Sequence, residues 1–203
     1  EIDQNNLVSP HENYIFPEIY TFELKNVAAN GGSNLFSTSG RLIAHDLYKF
    51  THDYTSEELH GRIQINTKKL RARFLEKDIN PIHIEHGAFF VDACAPNYAH
   101  WLTEVLPRIA LFCKDENFYK IPIIINSNLH KNILESLFLV AGSDRKIITL
   151  PVDRDILIDN FYTTSVAGYV PFERRDSLLK NHSHGLFSPD AFDFIKEKIN
   201  NNI

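Results

Sequence analysis

The period of the apolar residues changes at Pro96, and this change constrains the fold more than any other feature of the chain. Before it, residues 88–93 form an apolar run bounded by Gly87, with the length and composition of a strand. After it, the apolar residues recur at spacings of three and four, as on a buried helical face; they are Tyr98, Trp101, Leu102, Val105, Leu106, Ile109, Phe112 and Cys113. The stretch predicts a strand, a tight turn and a helix at 97–114 with Asn97 as its N-cap.

The alternation of strand and helix continues beyond this point. Apolar runs and helical periods predict strands at 121–126, 146–150 and 156–165, a helix at 129–141 that ends at Gly142, and a last helix that opens at Ser188-Pro189. Alternating elements with apolar strands indicate a mainly parallel sheet that is covered on both faces. The fold class predicted for residues 81–203 is therefore a Rossmann-like α/β domain.

The first part of the chain has another pattern. Strand-like runs at 19–27 and 35–48 are separated by turn residues, which predicts antiparallel β hairpins. Residues 1–80 are interpreted as a β-rich region with irregular and basic segments, and residues 1–17 as irregular. The basic run at 68–73 is predicted to be a solvated face, with contact to an acidic glycan or a phosphate as the alternative. Residues 167–187 are predicted to form a long loop, and such loops are often functional.

Composition excludes several classes of function. The net charge of −5 argues against binding to nucleic acid, which favours a basic surface. No apolar run reaches the roughly 18 residues that a transmembrane helix needs. Cys94 and Cys113 lie in apolar contexts and are predicted to be free thiols, which indicates a reducing compartment. A cytoplasmic location is expected, with the inner face of the membrane as a further place of action.

Four polar residues lie on one stripe of the predicted helix at 97–114. Asn97, His100, Glu104 and Arg108 follow one another at steps of three, four and four. A His and a carboxylate one turn apart can pass a proton or hold the imidazole in one tautomer. The alternative interpretation is the wet side of an amphipathic helix. Pro107 removes one backbone donor within the helix and predicts a kink.

A family resemblance rests on the same residues. The stretch 97–108 reads Asn97-Tyr98-Ala99-His100-Trp101-Leu102-Thr103-Glu104-Val105-Leu106-Pro107-Arg108. It resembles the Asn-Tyr-aromatic-His-Trp-Leu-x-Glu-x-Leu-Pro-Arg stretch of glycosyltransferase family 61, from which Ala99 departs. Residues 22–27, 31–32 and 40–43 look like the opening hairpins of that family, and 122–126 and 134–137 like the strand and helix after its motif.

The resemblance implies a Rossmann-like half of a GT-B glycosyltransferase, preceded by antiparallel β hairpins. It covers most of this chain but only half of a usual family member. The family's donor half holds an Arg-Arg stretch, an Asn-x-Glu and a His-Gly-Ala loop. This chain lacks them, and Arg174-Arg175 is not equated with the first. The second, donor-binding half is therefore expected to be absent from this chain.

The activity implied is inverting, metal-independent transfer of a sugar from a nucleotide-sugar donor to a glycan acceptor, as in polysaccharide or capsule biosynthesis. No cofactor is expected. His100 and Glu104 are the expected catalytic residues, either of them as base, and Asn97 and Arg108 the expected substrate-binding residues. An ion pair between Arg108 and Glu104 would lower the basicity of Glu104 and favour His100 as the base.

Other interpretations of the function and of single motifs stay open. The chain is alternatively a carbohydrate-binding or assembly module without catalysis. Asp153-Arg154-Asp155 matches the Asp-x-Asp of metal-dependent transferases, although a plain turn explains it more simply. The clusters at 83–86 and 181–184 contain histidines that could bind a metal, but surface histidines are the preferred interpretation. No glycine-rich nucleotide motif and no Gly-x-Ser-x-Gly elbow is present.

Overall fold

A mixed β-sheet forms the centre of the protein. The computed structural model describes residues 15–75, 78–176 and 185–200. The strands within these ranges are β1 Thr21–Asn30, β2 Phe36–Thr38, β3 Arg41–Ile43, β4 Asp53–Tyr54, β5 Ile63–Asn66, β6 Arg71–Phe74, β7 Ile82–Phe89, β8 Ile123–Asn126, β9 Ile147–Leu150, β10 Asp155–Thr164, β11 Gly168–Tyr169, β12 Glu173–Arg174 and β13 Leu186–Phe187. Seven of them form one sheet in the order β3-β2-β1-β10-β7-β8-β9.

The sheet is half parallel and half antiparallel. Strands β10, β7, β8 and β9 pair in parallel, as the alternation predicts. Strands β1, β2 and β3 pair antiparallel, which confirms the predicted hairpins, and β1 then pairs antiparallel with β10. The sequence does not predict that the antiparallel and the parallel strands pair into one mixed sheet. The β-rich start of the chain and the α/β part share one sheet, because β1 supplies β10 with its second neighbour.

Three helices cover one face of the sheet. They are α2 at residues 98–112, α3 Lys131–Ala141 and α4 Pro189–Asn200, whereas the short α1 Ser56–Leu59 contacts β5. Helices α2, α3 and α4 pack on one another and on the face that carries Ala88, Phe90, Ile123 and Ile125. The predicted end of α3 at Gly142 and the predicted start of the last helix at Ser188-Pro189 are confirmed. None of the helices in the described ranges has both the length and the apolar character that a membrane span requires.

The second face of the sheet is also buried, but the residues of its cluster lie in strands and loops rather than in helices. Its buried cluster joins residues of β1, β2 and β10 to residues of β8 and β9. The sheet is curled, so that the end of β1 meets the ends of β8 and β9. Asn126 Nδ2 at the end of β8 donates to the Gly31 carbonyl at 3.2 Å. A Cβ at Gly31 would lie 1.8 Å from the Pro151 carbonyl oxygen, so only glycine fits there.

Helix α2 contains a π turn. It is α-helical at Tyr98–His100, π-helical at Trp101–Val105 and α-helical again at Leu106–Phe112. The Leu106 N–H donates to the Trp101 carbonyl, five residues back. Pro107 has no N–H and its ring crowds the carbonyl four residues before it. The wider turn is the structural response to this proline where the sequence predicts a kink, and π turns occur frequently at functional sites.

Candidate functional site

A small cavity lies where α1, α2 and the end of β7 meet. Three carboxyl side chains line it: Glu57 from α1, Asp92 from the segment after β7, and Glu104 from the π turn of α2. Its other lining residues are Asn34, His45, Thr55, Ser56, Cys94, Tyr169, Val170 and Phe172. Its volume of about 30 Å³ gives room for a water molecule or a single hydroxyl group rather than for a sugar ring.

The structure brings His100 and Glu104 together. His100 Nδ1 hydrogen-bonds to Glu104 Oε1, and the two side chains are only 18% and 14% exposed. The His100 ring also stacks on Phe172, with ring centroids 5.6 Å apart and an angle of 16° between the planes. The His100 ring is therefore fixed by Glu104 and by Phe172, and Glu104 is the member of the pair that lines the cavity.

The environment of Glu104 favours its protonated form. Burial and the nearby Asp92 raise the pKa of Glu104 to about 7, although His100 and Arg108 act in the opposite direction. A carboxyl group with this pKa gains and loses its proton near neutral pH. General acid-base catalysis is most efficient with such a group.

Asn34 connects the other two carboxylates. Its Nδ2 donates to Asp92 Oδ2 at 3.0 Å, and its backbone N–H donates to Glu57 Oε1 at 3.2 Å. Asp92 also accepts from the Cys94 N–H at 2.8 Å. Glu57 is 1% exposed, and burial together with Asp92 raises the pKa of Glu57 to about 7. The cavity therefore contains two carboxyl groups that hold protons well above their ordinary pKa.

This burial makes the stability of the fold depend on pH. The pKa of Glu57 rises from an ordinary value of 4.5 to about 7 on folding. Between these values the folded state binds more protons than the unfolded state, so the free energy of unfolding falls as pH rises. We expect the free energy of unfolding of the wild type to fall by roughly 2–3 kcal/mol across this window because of Glu57. The variant Glu57→Gln should lack this part of the fall.

Urea denaturation at a series of pH values measures this effect. The slope that remains in Glu57→Gln is expected to come from Glu104, whose pKa also rises on folding. Glu116→Gln is the matched control, because Glu116 is exposed. Curves for Glu57→Gln and wild type that run parallel from pH 4.5 to pH 7 would show that Glu57 is not desolvated as described.

The other two residues of the stripe lie apart from this pair. Asn97 caps α2, because its side chain accepts from the Ala99 N–H at 3.0 Å, which confirms the predicted N-cap. Arg108 is 6% exposed and donates to Thr163 Oγ1 at 2.9 Å. Among the ion pairs of the described residues there is none between Arg108 and Glu104. The condition that would favour His100 as base is thus not met.

Several residues of the cavity escape sequence reasoning. The sequence contains an indication for Asp92, since it follows an apolar strand at the end where ligands bind in α/β sheets. It contains no indication for Glu57. Its neighbour Glu58 completes a capping box with Thr55, and both glutamates look like ordinary residues of a first helical turn. Tyr169 and Phe172 belong to the stretch 167–187, which is predicted to be a functional loop, whereas His45 comes from an irregular segment that only the tertiary structure places here.

The alternative metal motifs do not line this cavity. Asp153 is exposed in the turn between β9 and β10, whereas Asp155 accepts from Asn30 Nδ2 at 2.7 Å. His83 pairs with Asp159 on the exposed part of the sheet. Across residues 15–75, 78–176 and 185–200, no group of three potential ligands is arranged to hold a metal ion. His182 and His184 lie outside the described residues.

Comparisons with known proteins do not indicate a function for this chain, so the function has to be inferred from the chemistry of the site. No protein-family model, no curated protein and no solved structure matches the chain.

Proposed function

We propose that this chain is the acceptor-side half of an inverting glycosyltransferase that moves a sugar from a nucleotide-sugar donor to a glycan acceptor. The observation that carries the proposal is Glu104, a carboxyl group hydrogen-bonded to His100, with a pKa near neutrality, at a cavity that admits a hydroxyl group. The likeness of residues 97–108 to glycosyltransferase family 61 supports it. The Rossmann-like half of a GT-B enzyme is part of the proposal.

Glu104 acts as the base in the proposed reaction. It takes the proton of the acceptor hydroxyl as that oxygen attacks the anomeric carbon of the donor. The new glycosidic bond forms, the bond from the anomeric carbon to the phosphate oxygen breaks, and its electron pair leaves with the nucleoside diphosphate. His100 holds the carboxylate in place through Nδ1. Phe172, whose side chain is 39% exposed, offers an aromatic face on which the acceptor sugar can stack.

The roles of Asn97 and Arg108 in substrate binding stay predictions. The side-chain oxygen of Asn97 is engaged in the helix cap, which leaves its amide for a substrate. The diphosphate is expected to bind in the donor half, and no metal ion or other cofactor is proposed. The two cysteines are free thiols, which supports a reducing compartment such as the cytoplasm, and the inner face of the membrane is the further place of action proposed.

The proposal is tested with the complete native protein. Purified protein is incubated with a panel of nucleotide sugars and glycan acceptors, and released nucleoside diphosphate and elongated glycan are measured together. We expect both products in equal amounts, and the same rate after chelation of divalent cations. Glycan binding without either product would identify the non-catalytic binding module, and loss of activity on chelation would favour the metal-dependent transferase.

A further inference from the structure

A second cavity lies on the other side of His45, which lines both. Its volume is about 300 Å³, and small-molecule sites in proteins begin at roughly this size. Tyr20, just before β1, and Phe22 and Leu24 at the start of β1 form one wall, and Phe36 and Ile43 form another. The cavity is thus mainly apolar, with room for a body of aromatic size.

One buried cation lines this apolar cavity. Arg108 is 6% exposed, and its Nη2 donates to Thr163 Oγ1 at 2.9 Å and to the Thr164 carbonyl at 3.3 Å. Its Nε is enclosed and has no hydrogen-bond partner among the described residues. The guanidinium lies over the Phe90 ring, 5.5 Å from the centroid.

No carboxylate of the described residues contacts this cation. Asp92 and Glu104 act on Arg108 only from a distance, and both line the smaller cavity. A buried charge without a contacting partner is costly, since desolvation of the charge is not repaid. An unpaired buried donor adds to this cost. An anion in the cavity would reduce the cost of the buried charge.

We propose that this cavity binds a small organic monocarboxylate, with its carboxylate on Arg108 and its apolar body between Phe22 and Phe36. A single negative charge matches the single cation of the wall. Asp46 also lines the cavity, but it is exposed to solvent, which screens its charge. A dianionic phosphate fits less well, because the cavity offers only one buried cation and its walls are mainly apolar. The inference does not depend on glycosyl transfer, since it concerns a different cavity.

Calorimetric titration with phenylacetate and with phenylacetamide tests the proposal on the complete protein. The two probes have nearly the same shape and differ in charge. We expect phenylacetate to bind at least about tenfold more tightly, which corresponds to about 1.4 kcal/mol. Arg108→Gln should abolish this preference. Ala44→Trp, at an exposed residue that lines the cavity, should abolish binding of both probes while it leaves Arg108 in place.

The controls separate binding from folding. Ala72→Trp is the matched variant, because Ala72 is exposed on β6 and does not line this cavity. It should bind phenylacetate as wild type does. Ala44→Trp decides the question if Arg108→Gln fails to fold. Equal binding of the acid and the amide, no binding of phenylacetate, or undiminished binding to Ala44→Trp would each overturn the proposal.

Discussion

Replacing Glu104 with Gln is expected to lower kcat of the complete protein by about 1,000-fold. The amide keeps the shape of the side chain but cannot accept the acceptor's proton, and general base catalysis typically contributes about 10²–10⁴ in rate. In the wild type, kcat/KM should rise with pH and level off above about 7, because only the ionised carboxylate is a base. Steady-state kinetics over a pH series, with released nucleoside diphosphate as the readout, measure both effects.

His100→Ala separates the two members of the pair. The hydrogen bond from His100 lowers the pKa of Glu104, so its removal should shift the rise of kcat/KM to higher pH. The loss in kcat should be smaller than in Glu104→Gln. Glu135→Gln, at an exposed position of α3, serves as the control and should leave kcat unchanged. A larger loss in His100→Ala would make His100 the base. If both variants stay within a few-fold of wild type, the catalytic assignment is wrong.

Truncating Trp101 to Ala should destabilise the fold by about 4 kcal/mol, the size expected for the loss of a fully buried aromatic side chain. Trp101 is 0% exposed and lies in the main core cluster between α2, α3 and the sheet. Its Nε1–H donates to Ser136 Oγ at 2.9 Å, which ties the π turn to α3. Equilibrium unfolding in urea, with circular dichroism as the signal, gives the free energy directly.

Two milder variants divide this loss into its parts. Trp101→Phe keeps an aromatic ring in the core but removes the indole donor, and it should cost about half as much. Ser136→Ala leaves the ring in place and removes the acceptor of the indole N–H, together with the hydrogen bond from Ser136 Oγ to the Ile133 carbonyl. About 1–3 kcal/mol is expected for the unpaired buried N–H. A loss below about 1 kcal/mol in Trp101→Ala would show that the π turn is not anchored through this residue.

The order of the main strands and helices between residues 81 and 165, and the last helix, could be predicted from the sequence, because each element carries its own apolar period. The curl of the sheet and the short strands β11, β12 and β13 in the predicted loop 167–187 could not. Gly87 is predicted to bound a strand at 88–93, yet it lies inside β7, where a Cβ would come within 2.6 Å of Ile124. Such a glycine serves a contact with a neighbouring strand, and no local pattern records that contact.

The candidate site divides in the same way. His100 and Glu104 could be found from their spacing because they lie one turn apart on one helix. Glu57 and Asp92 come from elements 35 residues apart in the chain and meet only after β1, α1 and β7 have packed. The raised pKa of Glu104 comes from its burial and from the approach of Asp92, and both depend on the tertiary structure. The residues of the pair are local, whereas their chemistry is a property of the tertiary structure.

The π turn of α2 makes the length of the chain a determinant of the site. A π turn holds one residue more than the α-helical turn it replaces, which is the local signature of an insertion. If all residues of α2 adopted α-helical geometry, everything before the π turn would rotate by about 100° relative to Ile109 and the core. Deleting Thr103 would remove the extra residue and let α2 run as a regular α-helix with its outer turns in place, but His100 and Glu104 would then be three residues apart in the chain instead of four. At this point of the chain, a deletion that makes the helix more regular changes the spacing of the pair on which catalysis is proposed to depend.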